Sequence, residues 1–271
     1  MTHVVLRSPN FVSYHLTSRR YGTSQLKKLR LSKMSLQLLP LELQDFDELV
    51  SHADSYPPGD DLVGPPTPIC CVVKTREEAQ ARLTFHFNKQ KSRFRGDPTV
   101  RYMKVVDTAA ENSIISIARW HFYPNGYNFD TQIHWETHNP EPGQFIPRGF
   151  NIPLHNYILT TRDAARVSWI PSNSPCWILM HMVTHPASRG KGAAGLLIKW
   201  GIEQAEKDRV PAYLEAGVIG KPIYERYGFV QIGDLLEVDL KDFGFNTIFT
   251  MCKMAYFPRL IAKDVSGVVR D

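Results

Sequence analysis

The stretch from Cys176 to Trp200 constrains this chain more than any other. Trp177 to Val183 is a largely apolar run of strand length, which predicts a buried β-strand. His185, Pro186 and Ala187 end that run, and Arg189-Gly-Lys-Gly-Ala-Ala-Gly195 opens a helix. Ala194, Leu197, Ile198, Gly201, Ile202 and Ala205 recur at i, i+3, i+4, i+7, i+8 and i+11, one face of a 3.6-residue period. Strand, glycine-rich turn and helix in this order form a corner suited to a diphosphate. The first N–H groups of a helix have no internal acceptor, its dipole favours negative charge there, and glycine lets the backbone come close.

The rest of the chain reads as alternating strands and helices around that corner. Ser35 to Leu41 is a short strand, Asp45 to Ala53 a helix, and Tyr56 to Pro68 a Pro/Gly-rich loop. Thr75 is a helix N-cap with acidic residues following, and the helix runs to about Lys91, stopped by Gly96-Asp-Pro. Thr99–Asp107 and Ile114–Tyr123 are β-rich runs expected to form an antiparallel hairpin. Residues 124–173 form an insertion with one helix expected, from about Pro153 to Val167; a connection this long inside a domain is usually functional. Beyond the central segment come a strand at Ala212–Ala216, a helix at Pro222–Tyr227 capped by Gly228, and final strands at Phe229–Asp239 and Thr247–Tyr256.

Charge matters chiefly for where it lies. The chain carries +5, but residues 1–33 hold seven Lys/Arg and no acid, leaving 25 basic against 27 acidic side chains in the remainder. The body therefore lacks the basic face of a nucleic-acid binder. The arm has the composition of a mitochondrial presequence, of a disordered basic tail, or of a segment preceding a true start at Met34. These readings place the protein in the mitochondrial matrix or the cytoplasm. No run approaches the 18 apolar residues of a membrane span. Cys70, Cys71, Cys176 and Cys252 show no paired spacing and read as small buried apolar residues.

Gly190-Lys-Gly192-Ala-Ala-Gly195 also satisfies the GxGxxG dinucleotide pattern, with Glu215 twenty residues on. Against a nicotinamide or flavin site, six residues including Pro186 separate the strand from that first glycine. The preceding strands form a hairpin rather than a βαβ series, and too little chain follows for a doubly wound sheet. The segment instead resembles the GNAT superfamily of N-acetyltransferases. Its acetyl-CoA motif, [Arg/Gln]-x-x-Gly-x-[Gly/Ala], stands here as Arg189-x-x-Gly192-x-Ala194 behind His185-Pro186. A second signature stands as Tyr224-Glu-Arg-Tyr-Gly-Phe229. Asp97-Pro-Thr-Val-Arg-Tyr and Ala118-Arg-Trp-His-Phe-Tyr123 look like a fungal branch of small GNAT-like proteins.

The resemblance covers about residues 35–257 and implies a mixed α/β fold. A central sheet of about six or seven strands would be flanked by about four helices, with the central strands splayed. It implies one acetyltransferase domain over residues 34–257, interrupted by the insertion, with a tail at 258–271. Met182, Val183 and Thr184 would offer backbone groups to pantetheine, while Arg189, Gly190, Lys191, Gly192, Ala193, Ala194 and Gly195 would hold the diphosphate of acetyl-CoA. Arg189 and Lys191 would supply countercharge without a metal. Tyr224 would be the general acid. Where many relatives carry an acid or His as base, this chain has Met180. Strand alternation would turn the adjacent His181 to the other face. Glu215 is the expected base, with His121 or a water chain as alternatives. The insertion would cover the acceptor site; His134 and His138 stand four apart, but with no helix expected there no metal site is implied. The expected partner is a small-molecule primary amine, without nucleic acid or membrane. The alternative is a CoA-binding protein that senses or interacts without transferring.

Overall fold

The computed structural model describes residues 36–51 and 62–259. The basic arm with its presequence reading, Met34, and all but the first two residues of the expected C-terminal tail lie outside them. Eight strands form a mainly antiparallel sheet: β1 (Leu36–Pro40), β2 (Val100–Asp107), β3 (Ser113–Tyr123), β4 (Cys176–Thr184), β5 (Ala212–Ala216), β6 (Val230–Gln231), β7 (Leu236–Asp239) and β8 (Ile248–Tyr256). The order is β1-β2-β3-β4-β5-β8-β6, with β7 also paired to β8. Of these pairings, β4 with β5 is parallel. The doubly wound sheet of a dinucleotide fold is thereby excluded, and the mixed α/β expectation holds, with more strands than foreseen.

Among the described residues, seven helices flank the sheet: α1 (Asp45–Ser51), α2 (Thr67–Cys70), α3 (Arg76–Gly96), α4 (Phe129–Glu136), α5 (Ile152–Arg166), α6 (Ala193–Asp208) and α7 (Lys221–Glu225). Thr75 caps α3 by accepting from the Glu78 amide, as its position predicts, but the helix continues five residues beyond Lys91 before Gly96 ends it. Helix α4 corrects the expectation of no helix near His134. Asn128 caps it by accepting from Thr131 N, a start signal easily lost among the surrounding Pro and Gly.

Two apolar layers hold the sheet. On one face α6 packs Leu197, Ile198 and Ala205 against Trp120, Leu179 and Leu214. Gly201 is there because Trp120 needs the space: a Cβ would sit 2.1 Å from the indole. On the other face Phe46, Leu83 and Phe87 of α1 and α3 cover Tyr102 and Val106. The four cysteines are buried, as their reading as small apolar residues expects. No helix among the described residues is long and apolar enough to cross a membrane.

Candidate active site

Strand β4 begins as a paired neighbour of β5 and then leaves it. Trp177, Ile178 and Leu179 pair with Ala212, Tyr213 and Leu214. Beyond that point β4 stays on β3 as far as Thr184, whereas Glu215 and Ala216 stay on β8. The gap opens into a cleft of about 1120 Å³, lined by β4, the glycine turn, the β5–α7 loop and α7. His185 N donates to Ile115 O, and Val183 O accepts from Ser116 Oγ. These residues thus turn their peptide groups toward β3, and by alternation Met182 and Thr184 turn theirs into the gap. Of the three residues expected to meet pantetheine, Val183 faces its carbonyl away.

The glycine turn closes the outer end of the cleft. Gly190 and Gly192 adopt φ of +77° and +96°, a conformation that costs a side-chain-bearing residue energy. A Cβ on either would meet nothing within 4 Å, so backbone conformation and not crowding calls for glycine. Arg189 N and Leu196 N find acceptors in Pro186 O and Gly192 O. Among the described residues, none of the six consecutive N–H groups from Gly190 to Gly195 donates to a protein acceptor. Four orphan donors are normal at a helix start; here the turn adds more, all beside an open cleft. Arg189 and Lys191 stand exposed beside them. Gly195 serves differently, leaving room for the Tyr227 hydroxyl 2.1 Å from where its Cβ would be.

Tyr224 lies in the cleft wall on α7. Its ring packs edge-on against Phe229 at 5.9 Å, and burial pushes its phenol above the ordinary range. Glu215 also borders the cleft, but both its oxygens accept from Arg166, Nε to Oε1 and Nη2 to Oε2, each at 2.7 Å. Such a fork is strong, and a proton on Glu215 would break it. His121 is buried with Asp97 and Thr99, its Nδ1 2.8 Å from Thr99 Oγ1, away from the cleft-lining residues.

Sequence alternation missed a β-bulge. Arg119 pairs with His181 but Trp120 pairs with Leu179, leaving Met180 as the extra residue. A bulge lets two successive side chains share a side. Met180 packs with Ile178 and Tyr213, while His181 reaches toward His86 at 6.0 Å between rings, both opposite α6. His181 lines the cleft, and its Nε2 lies 2.6 Å from Val63 O. A carbonyl only accepts, so Nε2 carries the proton and Nδ1 keeps its lone pair. Burial is the main cause holding the imidazole's pKa down.

Behind β4, the insertion helices bring a charge network that the sequence did not disclose. Glu136 at the end of α4 lies 3.0 Å from Arg93 and 2.9 Å from Arg119. Asp163 takes Arg162 at 2.6 Å and Arg166 at 2.9 Å. Burial alone would raise Glu136, but Arg93 and Arg162 hold it at about 2. Burial, then Lys89, pushes His138 down to about 2 and His155 to about 4. Among the described residues, no group of three or more His, Cys, Asp or Glu is arranged to hold a metal.

The acetyltransferase (GNAT) domain family model matches residues 155–243, the part of the chain that contains β4, the glycine turn, α6, β5 and α7. Solved structures of similar course include a mosquito arylalkylamine N-acetyltransferase-like 5b protein. It is 13% identical over 82% of this chain and 100% of its own, with a TM-score of 0.48. A Drosophila melanogaster polyamine N-acetyltransferase, described as catalysing formation of N-acetylagmatine, is 12% identical over 82% and 98%, at 0.47. A predicted acetyltransferase from Clostridium acetobutylicum, solved with acetyl-CoA, is 17% identical over 77% and 98%, at 0.39.

Proposed function

We propose that this protein transfers an acetyl group from acetyl-CoA to the primary amine of a small molecule, by direct attack in a ternary complex. The row of donor-free-to-bind amides from Gly190 to Gly195, set at the mouth of the β4–β5 gap, carries this reading. A diphosphate matches that row in charge and extent, with Arg189 and Lys191 as countercharge. Pantetheine then runs along Met182 and Thr184, whose peptide groups β5 leaves unpaired, and the thioester reaches the inner cleft.

The neutral amine attacks the thioester carbonyl carbon, the C–S bond breaks, and CoA thiolate leaves. Tyr224 donates its phenolic proton to that sulfur. Its raised pKa keeps it protonated at neutral pH, which a donor requires. The proton lost by the amine goes to Nδ1 of His181, which the bulge turns toward the site and which burial keeps unprotonated. Glu215, the base expected from sequence, instead positions Arg166. His181 beside Met180 also weakens the case for a non-catalytic CoA binder, which rested on the missing base.

The test is thermal unfolding with acetyl-CoA, and separately with NAD(H) or FAD, followed by incubation of labelled acetyl-CoA with a panel of primary amines. Acetyl-CoA raises the melting temperature and label appears on an amine. Tyr224→Phe cuts turnover on the order of a hundredfold and leaves the acetyl-CoA-induced shift intact. Protection by a dinucleotide and not by acetyl-CoA would sink the proposal; binding without transfer to any amine would return the protein to the sensor class.

A further inference from the structure

Behind β4, bordering the main cleft, lies a small chamber of about 40 Å³. The two share Arg162, Met180, His181 and Leu159, so an acceptor bound near His181 has the chamber at its far end. Arg119 and Arg162 line it against one carboxylate, Glu136, which is already engaged by Arg93 and Arg119; Lys89 also lines it, brought down to about 7 by burial and Arg93, and adds only part of a charge at neutral pH. The histidines around it add no compensating or further charge. Burial first, and neighbouring cations after it, holds His86, His138 and His155 below their ordinary values, and His181 is held down chiefly by burial.

Arg162 is the unfinished member. It is 8% exposed, and its Nε donates to Asp163 Oδ1 at 2.6 Å. Neither Nη nitrogen makes a hydrogen bond: Nη2 lies 3.5 Å from Glu136 Oε2 without bonding geometry and is a buried donor with no partner. Leaving such a group unmade is costly. The Nδ1 of His155, on the chamber wall, is unpartnered as well. A buried guanidinium donor without a hydrogen-bond partner, lining a cavity with excess positive charge, defines an anion site, and a carboxylate matches the guanidinium fork in shape.

We propose that the acceptor is an amine that also bears an anionic group, best a carboxylate, which seats on Arg162 while the amine faces the thioester. This rests on the acetyltransferase reading above and narrows it: diamines and polyamines would bring a cation into a chamber that already repels one.

The decisive comparison uses matched acceptors with acetyl-CoA: α-amino acids, each beside the amine made by removing its carboxylate, with a linear polyamine and an amino phosphate ester as further arms. The carboxylate member of a pair is used at least tenfold better in kcat/KM. Arg162→Gln erases that preference through KM of the carboxylate member and leaves the acetyl-CoA-induced melting shift intact. Equal or better use of the decarboxylated amine or the polyamine overturns the proposal, and preference for the phosphate ester moves the ligand from carboxylate to phosphate. Because Arg162 also holds Asp163, the wild-type pairs decide the matter if that variant does not fold. If acetyl-CoA binds but no acceptor turns over, calorimetry with an N-acetyl amino acid and its decarboxylated counterpart, with and without CoA, takes the place of kinetics. Tighter binding of the carboxylate member supports the site, and equal binding overturns it. Failure of acetyl-CoA itself to bind sinks the transferase reading separately.

Discussion

Glu215 and Arg166 make the sharpest residue-scale case, because one carboxylate admits two opposed roles. Arg166 is fully buried, forked onto Glu215, ion-paired with Asp163 and stacked 5.5 Å over the Tyr127 ring. Burial would discharge a lone guanidinium; Asp163 and Glu215 hold its pKa up. Neutralising Glu215 strands half of that charge. Removing one partner of a buried pair typically costs about 3–5 kcal/mol. Glu215→Gln is therefore expected to lower the melting temperature markedly, while turnover of the protein that remains folded falls less than tenfold. A general base behaves the opposite way: its amide variant keeps its fold and loses nearly all turnover, with the acidic limb of the pH–rate profile gone. Unfolding curves and active-site-normalised kinetics on one preparation separate the two.

The glycine turn shows the same logic for a whole element. Gly192→Ala adds a methyl group to open space but asks an L side chain to hold φ of +96°, a strain of roughly 1–2 kcal/mol. Relaxing it tilts the amides of Ala193 and Ala194. Acetyl-CoA affinity is expected to fall about tenfold by calorimetry while the melting temperature drops only a few degrees; unchanged affinity would mean that these amides do not hold the diphosphate. This element was legible in the sequence because periodicity and glycine placement encode it locally: Leu197, Ile198, Gly201 and Ala205 all bury as their spacing predicts. The strand splay followed from the resemblance, not from the residues. The Met180 bulge had no local signal, since nothing in an apolar run marks where pairing slips. Arg162, Arg119 and Glu136 were missed because they lie on α5, β3 and α4, and only the fold brings them together. Gly195 looked like a phosphate-loop glycine, yet its neighbour is Tyr227, a contact between residues 32 positions apart.

Across the molecule, the buried ionisable groups point to one weakness, acid. His86, His121, His138, His155 and His181 are all held below the ordinary imidazole value, in each case chiefly by burial. In the unfolded chain each takes up a proton near pH 6.5; in the fold it does so only at lower pH. The unfolded state thus binds more protons below about pH 6.5, and stability falls as pH falls. The benefit of these neutral rings is complete above that value and is lost as pH drops toward their folded values, about 4 for His155 and about 2 for His138. Glu136, held at about 2, acts in the same direction from about pH 4.5 downward. Asp163, raised mainly by burial, opposes them, but as one group against five in the window where histidine titrates. Lys89, depressed to about 7 by burial and Arg93, is charged in both states below about pH 6; above that only the unfolded chain keeps its proton, so it adds a slope of the same sign up to about pH 10. Each histidine contributes on the order of 1.4 kcal/mol per pH unit below pH 6.5. Urea unfolding at fixed ionic strength is therefore expected to give stability that falls by on the order of 1 kcal/mol from pH 8 to about 7, through Lys89 alone. Below that it declines with an uptake of two or more protons on unfolding by about pH 5.5. Stability independent of pH down to 5 would show that these rings are solvated and charged in the native protein. The chamber that His86, His138, His155 and His181 line would then be wet and cationic throughout, and a neutral acceptor amine would have no dry wall to lie against.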